Sequence, residues 1–269
     1  MLTDTHTHLD HPYFDGERDE IVRRAGEAGV TRIINIGFNR ETIESTIALA
    51  EAYDCIEAVV GWHPQDAKDC TAEDLDRIEQ LLREHPKVVG IGETGLDYFR
   101  MTSPKEVQQR VFREQIRLAR KLGKPLVIHN RDAHADIVAI LREEKAYDVG
   151  GVMHCFSGSW EIAKLCLEMN FYLSFGGPIT YKNAKQPKEV LQKTPPDRLL
   201  VETDAPYLTP HPHRGAPNEP YCLPYTVRAL AALLDRPAEE LARQTTATAI
   251  RVYGLQGGLP LLDQFVTVP

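Results

Sequence analysis

The chain has 269 residues, of which 42% are apolar, and a formal net charge of −8 at pH 7. One α/β barrel of this length is common, so the length does not require two domains. The negative net charge argues against non-specific electrostatic binding along duplex DNA, because such affinity comes mainly from Lys and Arg side chains that contact phosphates. It leaves room for a small phosphate site, or for a short single strand held in a pocket.

Cysteine content and the N-terminal sequence predict the compartment. The five cysteines are an odd number without close pairs, which indicates reduced thiols rather than a disulfide framework. Residues 1–4 show neither a basic region nor an apolar core of the kind that secretion signals carry. No apolar run is long enough to span a bilayer. We therefore expect a cytoplasmic protein with no membrane contact and no obligate protein partner.

Eight short runs, many of them β-branched, predict strands, and helical patterns separate most of them. The predicted strands are 3–8, 31–37, 56–61, 88–93, 125–129, 151–154, 171–175 and 198–204. The predicted helices are 17–28, 41–52, 71–85, 103–122, 132–144, 159–169, 225–234 and 237–253. The segment between the last two strands is polar and basic, and its pattern assigns it no element.

Three helix starts carry a recognisable cap. Thr71 and Ser159 each precede a helical pattern and are predicted N-caps. Ser103 is the third predicted N-cap, with Pro104 at the first helical position and Glu106 three residues after the cap.

Alternating strands and helices imply a parallel sheet, and eight such units close naturally into a (β/α)₈ TIM barrel. We therefore predict a single TIM-barrel hydrolase domain over residues 1–255. Residues 256–269 form a C-terminal tail with no clear period.

His6 and His8 lie two residues apart in the first predicted strand, where side chains two apart share a face. Two imidazoles aimed at one point make half of a divalent-metal site. Taken alone, the pair equally fits two ordinary histidines near a chain terminus. The other predicted strands decide between these interpretations.

In such barrels the active site lies at the C-terminal ends of the strands. The polar residues at those ends are His6, His8, His63, Glu93, His129, His154, Glu202 and Asp204. The set fits a binuclear centre, in which a bridging carboxylate holds two ions about 3.5–4 Å apart. Glu93 suits the bridging position, because its strand lies between the two groups of histidines.

We predict that His6, His8 and Asp204 hold one divalent ion, and that His129 and His154 hold the other. The imidazoles favour Zn²⁺, whereas the carboxylates and a phosphate substrate favour Mg²⁺ or Mn²⁺. Each histidine alone also fits an ordinary polar loop residue, so the prediction rests on their joint occurrence at strand ends.

Three cations are predicted to bind a phosphate group in the loops beyond the strands. Arg131 follows the fifth strand, Lys182 the seventh and Arg214 the eighth. Each of the three also fits a solvated surface residue. His63 and Glu202 either line the pocket or hold a further metal ion.

Four aromatic residues near the strand ends are candidates for base stacking, which single-strand sites often use: Tyr98, Phe99, Phe156 and Tyr207. Packing in the core or at the rim is the commoner role of an aromatic side chain. Cys155 follows a predicted ligand directly, and we expect a buried neighbour of the site rather than a nucleophile.

Six motifs in order resemble those of the TatD family of metal-dependent hydrolases, a branch of the amidohydrolase superfamily. They are DTHTHLD (4–10), GWHP (61–64), IGETGLDY (91–98), HNRDA (129–133), HCFSG (154–158) and ETDAPYL (202–208). The resemblance covers residues 4–255. It implies metal ligands at His6, His8, Glu93, His129, His154 and Asp204. Asn130 stands where Ser is common in the family.

The resemblance implies a phosphodiesterase, described for the family as a deoxyribonuclease acting 3′→5′ on single-stranded DNA. Two cations lower the pKa of a bridging water, which makes hydroxide available near neutral pH. Asp204 would orient that nucleophile and take its proton, and Glu93 would hold the two cations together.

Two other classes of function stay open. The same hydroxide attacks a carbonyl carbon, which would give an amide, ester or aminoacyl-tRNA hydrolase. A metal-stabilised binding protein is the third class, although a purely structural metal site is normally closed by its protein ligands.

Overall fold

The computed structural model describes residues 1–256 of the chain, so nearly all of the predicted tail (256–269) lies outside the described residues. The strands are β1 (Leu2–Thr7), β2 (Val30–Gly37), β3 (Ile56–Val60), β4 (Val88–Asp97), β5 (Leu126–Arg131), β6 (Gly151–Met153), β7 (Phe171–Phe175) and β8 (Leu199–Val201). The α-helices are α1 (Arg18–Glu27), α2 (Arg40–Ala52), α3 (Ala72–Glu84), α4 (Lys105–Leu122), α5 (His134–Glu143), α6 (Trp160–Glu168), α7 (Lys185–Lys193), α8 (Leu223–Leu234) and α9 (Ala238–Tyr253).

The eight strands form one parallel sheet in chain order, from β1 to β8. Backbone hydrogen bonds then join β1 to the segment that follows β8. The Asp204 N–H donates to the His6 carbonyl at 2.9 Å, and the His8 N–H donates to the Ala205 carbonyl at 2.8 Å. We call these two bonds the closing seam. The predicted (β/α)₈ barrel is confirmed.

Apolar side chains fill both sides of the sheet. A small cluster takes residues from β2 to β6 and from β8 and fills the barrel: Ile34, Ile36, Val59, Val89, Val127, Val152 and Leu200. Tyr253 and Leu255, at the end of α9, pack against this cluster. A much larger cluster lies between the strands and the surrounding helices. Layered branched side chains of this kind make the barrel interior a packed core rather than a pore.

Strand β4 is longer than predicted, so Glu93 lies within the strand and not at its end. The strand continues to Asp97, which pairs with Arg131 of β5. Gly95 permits this pairing, because a Cβ at its φ of +143° would lie 2.0 Å from the His129 carbonyl oxygen. The glycine lets the two backbones approach, and the ladder extends past the predicted end.

Strand β8 is shorter than predicted and stops before the polar residues Glu202 and Asp204. Beyond the end of the strand, hydrogen bonds to a side chain replace the backbone hydrogen bonds of the sheet. The Asp4 carboxylate accepts the Thr203 N–H at 2.9 Å and the Thr203 hydroxyl at 2.5 Å. Asp204 has a left-handed backbone with a φ of +58°, which ends regular strand geometry.

The predicted caps at Thr71 and Ser159 are confirmed. The Thr71 hydroxyl accepts the Asp74 N–H, and the Asp74 carboxylate accepts the Thr71 N–H in return. The Ser159 hydroxyl accepts the Ile162 N–H. Both pairs satisfy backbone donors that the first helical turn leaves without partners.

The predicted cap at Ser103 is wrong. Its hydroxyl donates to the Gln65 carbonyl at 2.7 Å and accepts the Lys68 N–H at 3.0 Å, so it ties down the loop after β3. Pro104 occupies the cap position of α4, without a side-chain hydrogen bond. The hydroxyl therefore bonds to the loop after β3 rather than to the first turn of its own helix.

Helix α7 lies in the polar segment to which the sequence pattern assigned no element. Only Val190 and Leu191 are buried among its nine residues, and Pro187 lies within its first turn. Two apolar positions are too few to define a helical period.

Among the described residues, no helix combines the length and the apolar character that a bilayer crossing requires.

We expect Gly95→Ala to lower the free energy of unfolding by more than about 1 kcal/mol, because the new methyl group would strike the β5 backbone. Gly26→Ala is the matched control, since Gly26 lies in α1 and a Cβ added there would meet nothing within 4 Å. It should raise stability by up to about 1 kcal/mol. Urea unfolding measures both, and equal effects would contradict the close approach.

Candidate metal centre and active site

The closing seam delivers His6 and His8 to the mouth of the barrel. Their Nε2 atoms lie 3.3 Å apart, and both side chains are buried. On the other side of its ring, His8 Nδ1 lies 3.3 Å from the Ile36 carbonyl oxygen. A ring held at one nitrogen presents the other nitrogen to the centre, as metal-ligating histidines do.

Glu93 lies between two groups of histidines. Its Oε2 atom is 3.5 Å from His6 Nε2 and 4.0 Å from His8 Nε2. Its Oε1 atom is 2.6 Å from His129 Nδ1 and 3.5 Å from His154 Nε2. One carboxylate oxygen therefore faces each group, which is the geometry that a ligand bridging two ions needs.

Asp204 joins the first of these groups. Its Oδ1 atom lies 3.4 Å from His8 Nε2 and 3.8 Å from His6 Nε2. The structure thus brings the predicted residues together around Glu93, but it does not divide them into the two predicted sets, because the His154 ring stacks on the His6 ring with centroids 3.7 Å apart. Their role as metal ligands stays a prediction.

His63 is also part of the centre. Its Nδ1 atom accepts the Gln65 N–H, and its Nε2 atom lies 3.7 Å from Glu93 Oε1. The side chain is largely buried at the edge of the second group, and it also lines the cavity at the mouth.

Asp97 is a site residue to which the sequence analysis assigned no role. Its fully buried carboxylate lies 3.3 Å from His129 Nε2 and accepts an N–H of the Gln65 side chain at 2.9 Å. The other oxygen accepts the backbone N–H groups of Phe99 and Arg100. Asp97 therefore fixes His129 and also anchors the loop at the mouth.

A signal for Asp97 was present in the sequence. It lies four residues after Glu93, and alternate residues of one strand point to one face. Because the sequence analysis ended the fourth strand at Glu93, it did not place Asp97 on the same strand face as Glu93.

Glu202, predicted to line the pocket or to hold a further metal ion, is fully buried. Its Oε1 atom accepts the Cys155 N–H at 2.7 Å and lies 3.0 Å from His154 Nδ1. The carboxylate therefore fixes the His154 ring from behind. With no exposed surface, Glu202 is out of reach of a substrate.

The electrostatics of the centre keep its carboxylates charged. Burial alone would raise the pKa of Glu93, but the neighbouring histidines, His154 and His63 foremost, hold it well below its usual value. Burial alone would also raise the pKa of Asp204. The hydrogen bond with His8 and the charges of the nearby histidines outweigh burial, so the pKa of Asp204 is lowered.

Burial lowers the pKa of His63 to about 3. Against the effect of burial, the neighbouring carboxylates raise the pKa of His154 to about 10 and also raise the pKa values of His8 and His129. Because metal ions bind neutral imidazole, these three rings would release protons on metal binding.

The donor set fits divalent metal ions. Within the described residues, three groups have donor atoms within 4.8 Å of one another: His6, His8 and Glu93; His6, His154 and Glu202; His63, Glu93 and His129. Glu202 Oε2 and His6 Nδ1 are buried and find no hydrogen-bond partner among residues 1–256. Imidazole nitrogen with carboxylate oxygen suits Zn²⁺ and Mn²⁺.

The three predicted phosphate-binding cations lie at different distances from the centre. Arg131 lines the mouth, and its guanidinium lies 4.2 Å from the centroid of the Phe99 ring. Arg214 lies 4.2 Å from the Tyr181 ring and is exposed. Lys182 is exposed and makes no side-chain hydrogen bond or ion pair with any described residue. Only Arg131 borders the donors.

The four candidate stacking residues separate in the same way. Phe99 is 61% exposed and Tyr207 is 50% exposed, so both can meet a substrate at the rim. Phe156 is buried in a cavity wall. The Tyr98 hydroxyl donates to Asp136 at 2.7 Å, so Tyr98 has a structural contact away from the centre.

Cys155 is a neighbour of the site, as expected, and not a candidate nucleophile. Burial raises the pKa of its thiol well above the usual value, and the charge of Glu202 adds to the effect. A protonated thiol is a poor nucleophile.

The model of the family described as "TatD related DNase" matches residues 3–254. The chain belongs to the TatD family. The match spans all the strands and all the residues of the centre described above, so the resemblance stated from six motifs is confirmed.

Named relatives extend the finding. The chain is 53% identical to the uncharacterised metal-dependent hydrolase YabD of Bacillus subtilis, over 94% of this chain and 99% of YabD. It is 43% identical to the uncharacterised metal-dependent hydrolase TatD of Mycobacterium tuberculosis, over 94% and 98% of the two chains. The crystal structure of YjjV, a TatD homologue from Escherichia coli, is similar with a TM-score of 0.89 and 33% identity, over 95% and 98%.

We expect Asp97→Asn to weaken binding of Zn²⁺ or Mn²⁺ by about 10- to 100-fold, because the amide no longer presents a charged acceptor to His129. Titration calorimetry on chelator-treated protein measures the affinity. Asp136→Asn is the matched control, since Asp136 contacts Tyr98 and Lys105 outside the centre. Equal affinities for the two variants would contradict the positioning role of Asp97.

Proposed function

We propose that the chain is a divalent-metal-dependent phosphodiesterase that removes nucleotides from single-stranded DNA ends, in the 3′→5′ direction described for the family. The observation that carries the proposal is the position of Arg131. Arg131 lines the same cavity as His129 and Asp204, and its guanidinium lies against the exposed ring of Phe99. A cation and a stacking surface beside paired donor groups suit a phosphate that carries a base.

The residues take distinct roles in this reaction. His6, His8, Glu93, His129, His154 and Asp204 would hold two divalent ions. Such ions supply Lewis acidity and lower the pKa of bound water when present. Asp204, whose lowered pKa keeps it ionised, orients the attacking water and accepts its proton. Arg131 pairs with the non-bridging phosphate oxygens and stabilises the charge that builds there.

Two features support a nucleic-acid substrate over a carbonyl substrate. The matching family model is described as a DNase family. The cation at the mouth is an arginine, whose planar fork matches two phosphate oxygens and adds less to a neutral amide or ester. The net charge of −8 fits contacts confined to a pocket rather than a long track along duplex DNA.

A substrate panel tests the proposal. Metal-loaded protein should hydrolyse single-stranded oligonucleotides from the 3′ end and should leave carboxyl esters and aminoacyl-tRNA intact. Asp204→Asn should lower kcat by about 10²- to 10⁴-fold, because it removes the proton acceptor. Chelation should abolish turnover, and added Mn²⁺ or Mg²⁺ should restore it.

Asp136→Asn is the control for this series, and it should keep the rate of the unmodified chain because Asp136 lies outside the centre. Hydrolysis of aminoacyl-tRNA in preference to oligonucleotides would replace the phosphodiesterase by the carbonyl hydrolase. Full activity of Asp204→Asn would show that the proton acceptor is another group.

A further inference from the structure

We propose that an apolar cavity beside the centre is a binding subsite for one nucleobase of the substrate. This proposal rests on the proposed function and names the substrate group that fits the wall of the active site. The subsite lies between the loops that follow β6, β7 and β8.

Two cavities share residues of the candidate centre in their walls. One has a volume of about 330 Å³ and the other of about 410 Å³. The residues that line both are His129, Arg131, His154, Asp204 and Leu208. Volumes near 300 Å³ are at the lower end for small-molecule pockets. A phosphodiester centred on these shared residues has two substituents to place, one for each cavity, whereas a phosphomonoester has one.

The two cavities differ in chemistry. The smaller one is walled by apolar side chains, namely Phe156, Phe175, Pro178, Ile179, Pro187 and Leu208. The larger one is lined by Arg100, Gln65, Asp66 and the donors His8, His63 and Glu93, and also by the aromatic side chains Phe38 and Tyr207. We call them the apolar cavity and the polar cavity. In the apolar cavity, the charged side chains Arg131 and Asp204 lie on the edge shared with the centre.

An uncharged planar group fits the apolar cavity best. Cys155, Asn130 and Ser157 add neutral polar groups to its wall, so polar edges of a ring find partners there. Beyond the edge that Arg131 and Asp204 form, a phosphate or a charged amino-acid side chain would lose solvation without a counter-charge. A nucleobase has an apolar face and neutral polar edges, and it stacks on aromatic side chains such as Phe156.

The wall of the apolar cavity is fixed before any ligand binds. Gly177 packs on the loop after β8, where a Cβ would lie 1.9 Å from the Leu208 carbonyl oxygen. The Tyr181 hydroxyl donates to the Thr209 carbonyl at 3.0 Å. Leu208 itself is held in a left-handed backbone with a φ of +57°. Neighbouring contacts maintain such a conformation in a leucine, and a preformed pocket saves the entropy of ordering on binding.

Substitution of Ser157 by tryptophan tests the subsite. Ser157 is exposed, lines the apolar cavity and uses only its backbone carbonyl in a hydrogen bond, with Gln186. Ser157→Trp therefore blocks the cavity without touching the donors. Asn183→Trp is the matched control, because Asn183 is exposed in the next loop and lines neither cavity.

The substrates are thymidylyl-thymidine and its two analogues in which one base is replaced by hydrogen. In the unmodified chain, one analogue should lose about 5- to 150-fold in kcat/KM, the range of one base stack. The other analogue should lose less. Ser157→Trp should remove the difference between the intact substrate and the sensitive analogue, and Asn183→Trp should keep it.

Equal turnover of all three substrates by the unmodified chain would overturn the subsite and leave the phosphodiesterase standing. A Ser157→Trp effect of the same size on every substrate would also overturn it. If no dinucleotide is cleaved, the proposed function fails, and calorimetry decides the subsite. Thymidine 3′- or 5′-monophosphate must then bind more tightly than deoxyribose phosphate, and Ser157→Trp must remove the gain.

Discussion

The closing seam is the constraint on which the candidate centre depends. The bonds from Asp204 N to the His6 carbonyl and from His8 N to the Ala205 carbonyl join segments about two hundred positions apart in the chain. They place the Asp204 carboxylate beside the imidazoles of His6 and His8, which lie far from it in the sequence. The buried contact of Asp4 with Thr203 supports the same seam from below. The barrel and the first group of donors therefore form together.

Burial gives the centre its chemical character. A buried carboxylate without a partner is costly, by several kcal/mol even after relaxation. Glu93 avoids this cost through His129, His154 and the histidine pair of β1, whose nitrogens surround it. The imidazole nitrogens and carboxylate oxygens of the centre are packed closely together. Such a set of donors suits divalent cations better than hydrogen bonds among the donors themselves. Metal binding at such a centre adds its free energy to that of folding.

The sequence predicted most of the elements, and the convergence of the polar side chains at the strand ends, because both follow periodic or short-range rules. Alternating strands and helices dictated the barrel, and polar residues at strand ends marked the centre. The failures share another cause. Ser103 has a good local cap pattern, but its hydroxyl binds the loop after β3 instead. Asp97 stayed without a role because the close approach at Gly95, which extends β4, depends on the backbone of β5. The buried position of Glu202 behind His154 is likewise a tertiary fact.

The loop after β8 links the chemistry of the centre to its choice of substrate. Asp204 and Leu208 are four residues apart, and each has a left-handed backbone. The first faces the donors, and the second lies where the two cavities meet. In the proposed reaction, a loop that carries both residues sets the distance between the phosphate and the cavity wall against which its substituent would rest. The proposed selectivity therefore depends on the loops after β7 and β8, and loops of a barrel can change in sequence while the residues at the strand ends stay in place.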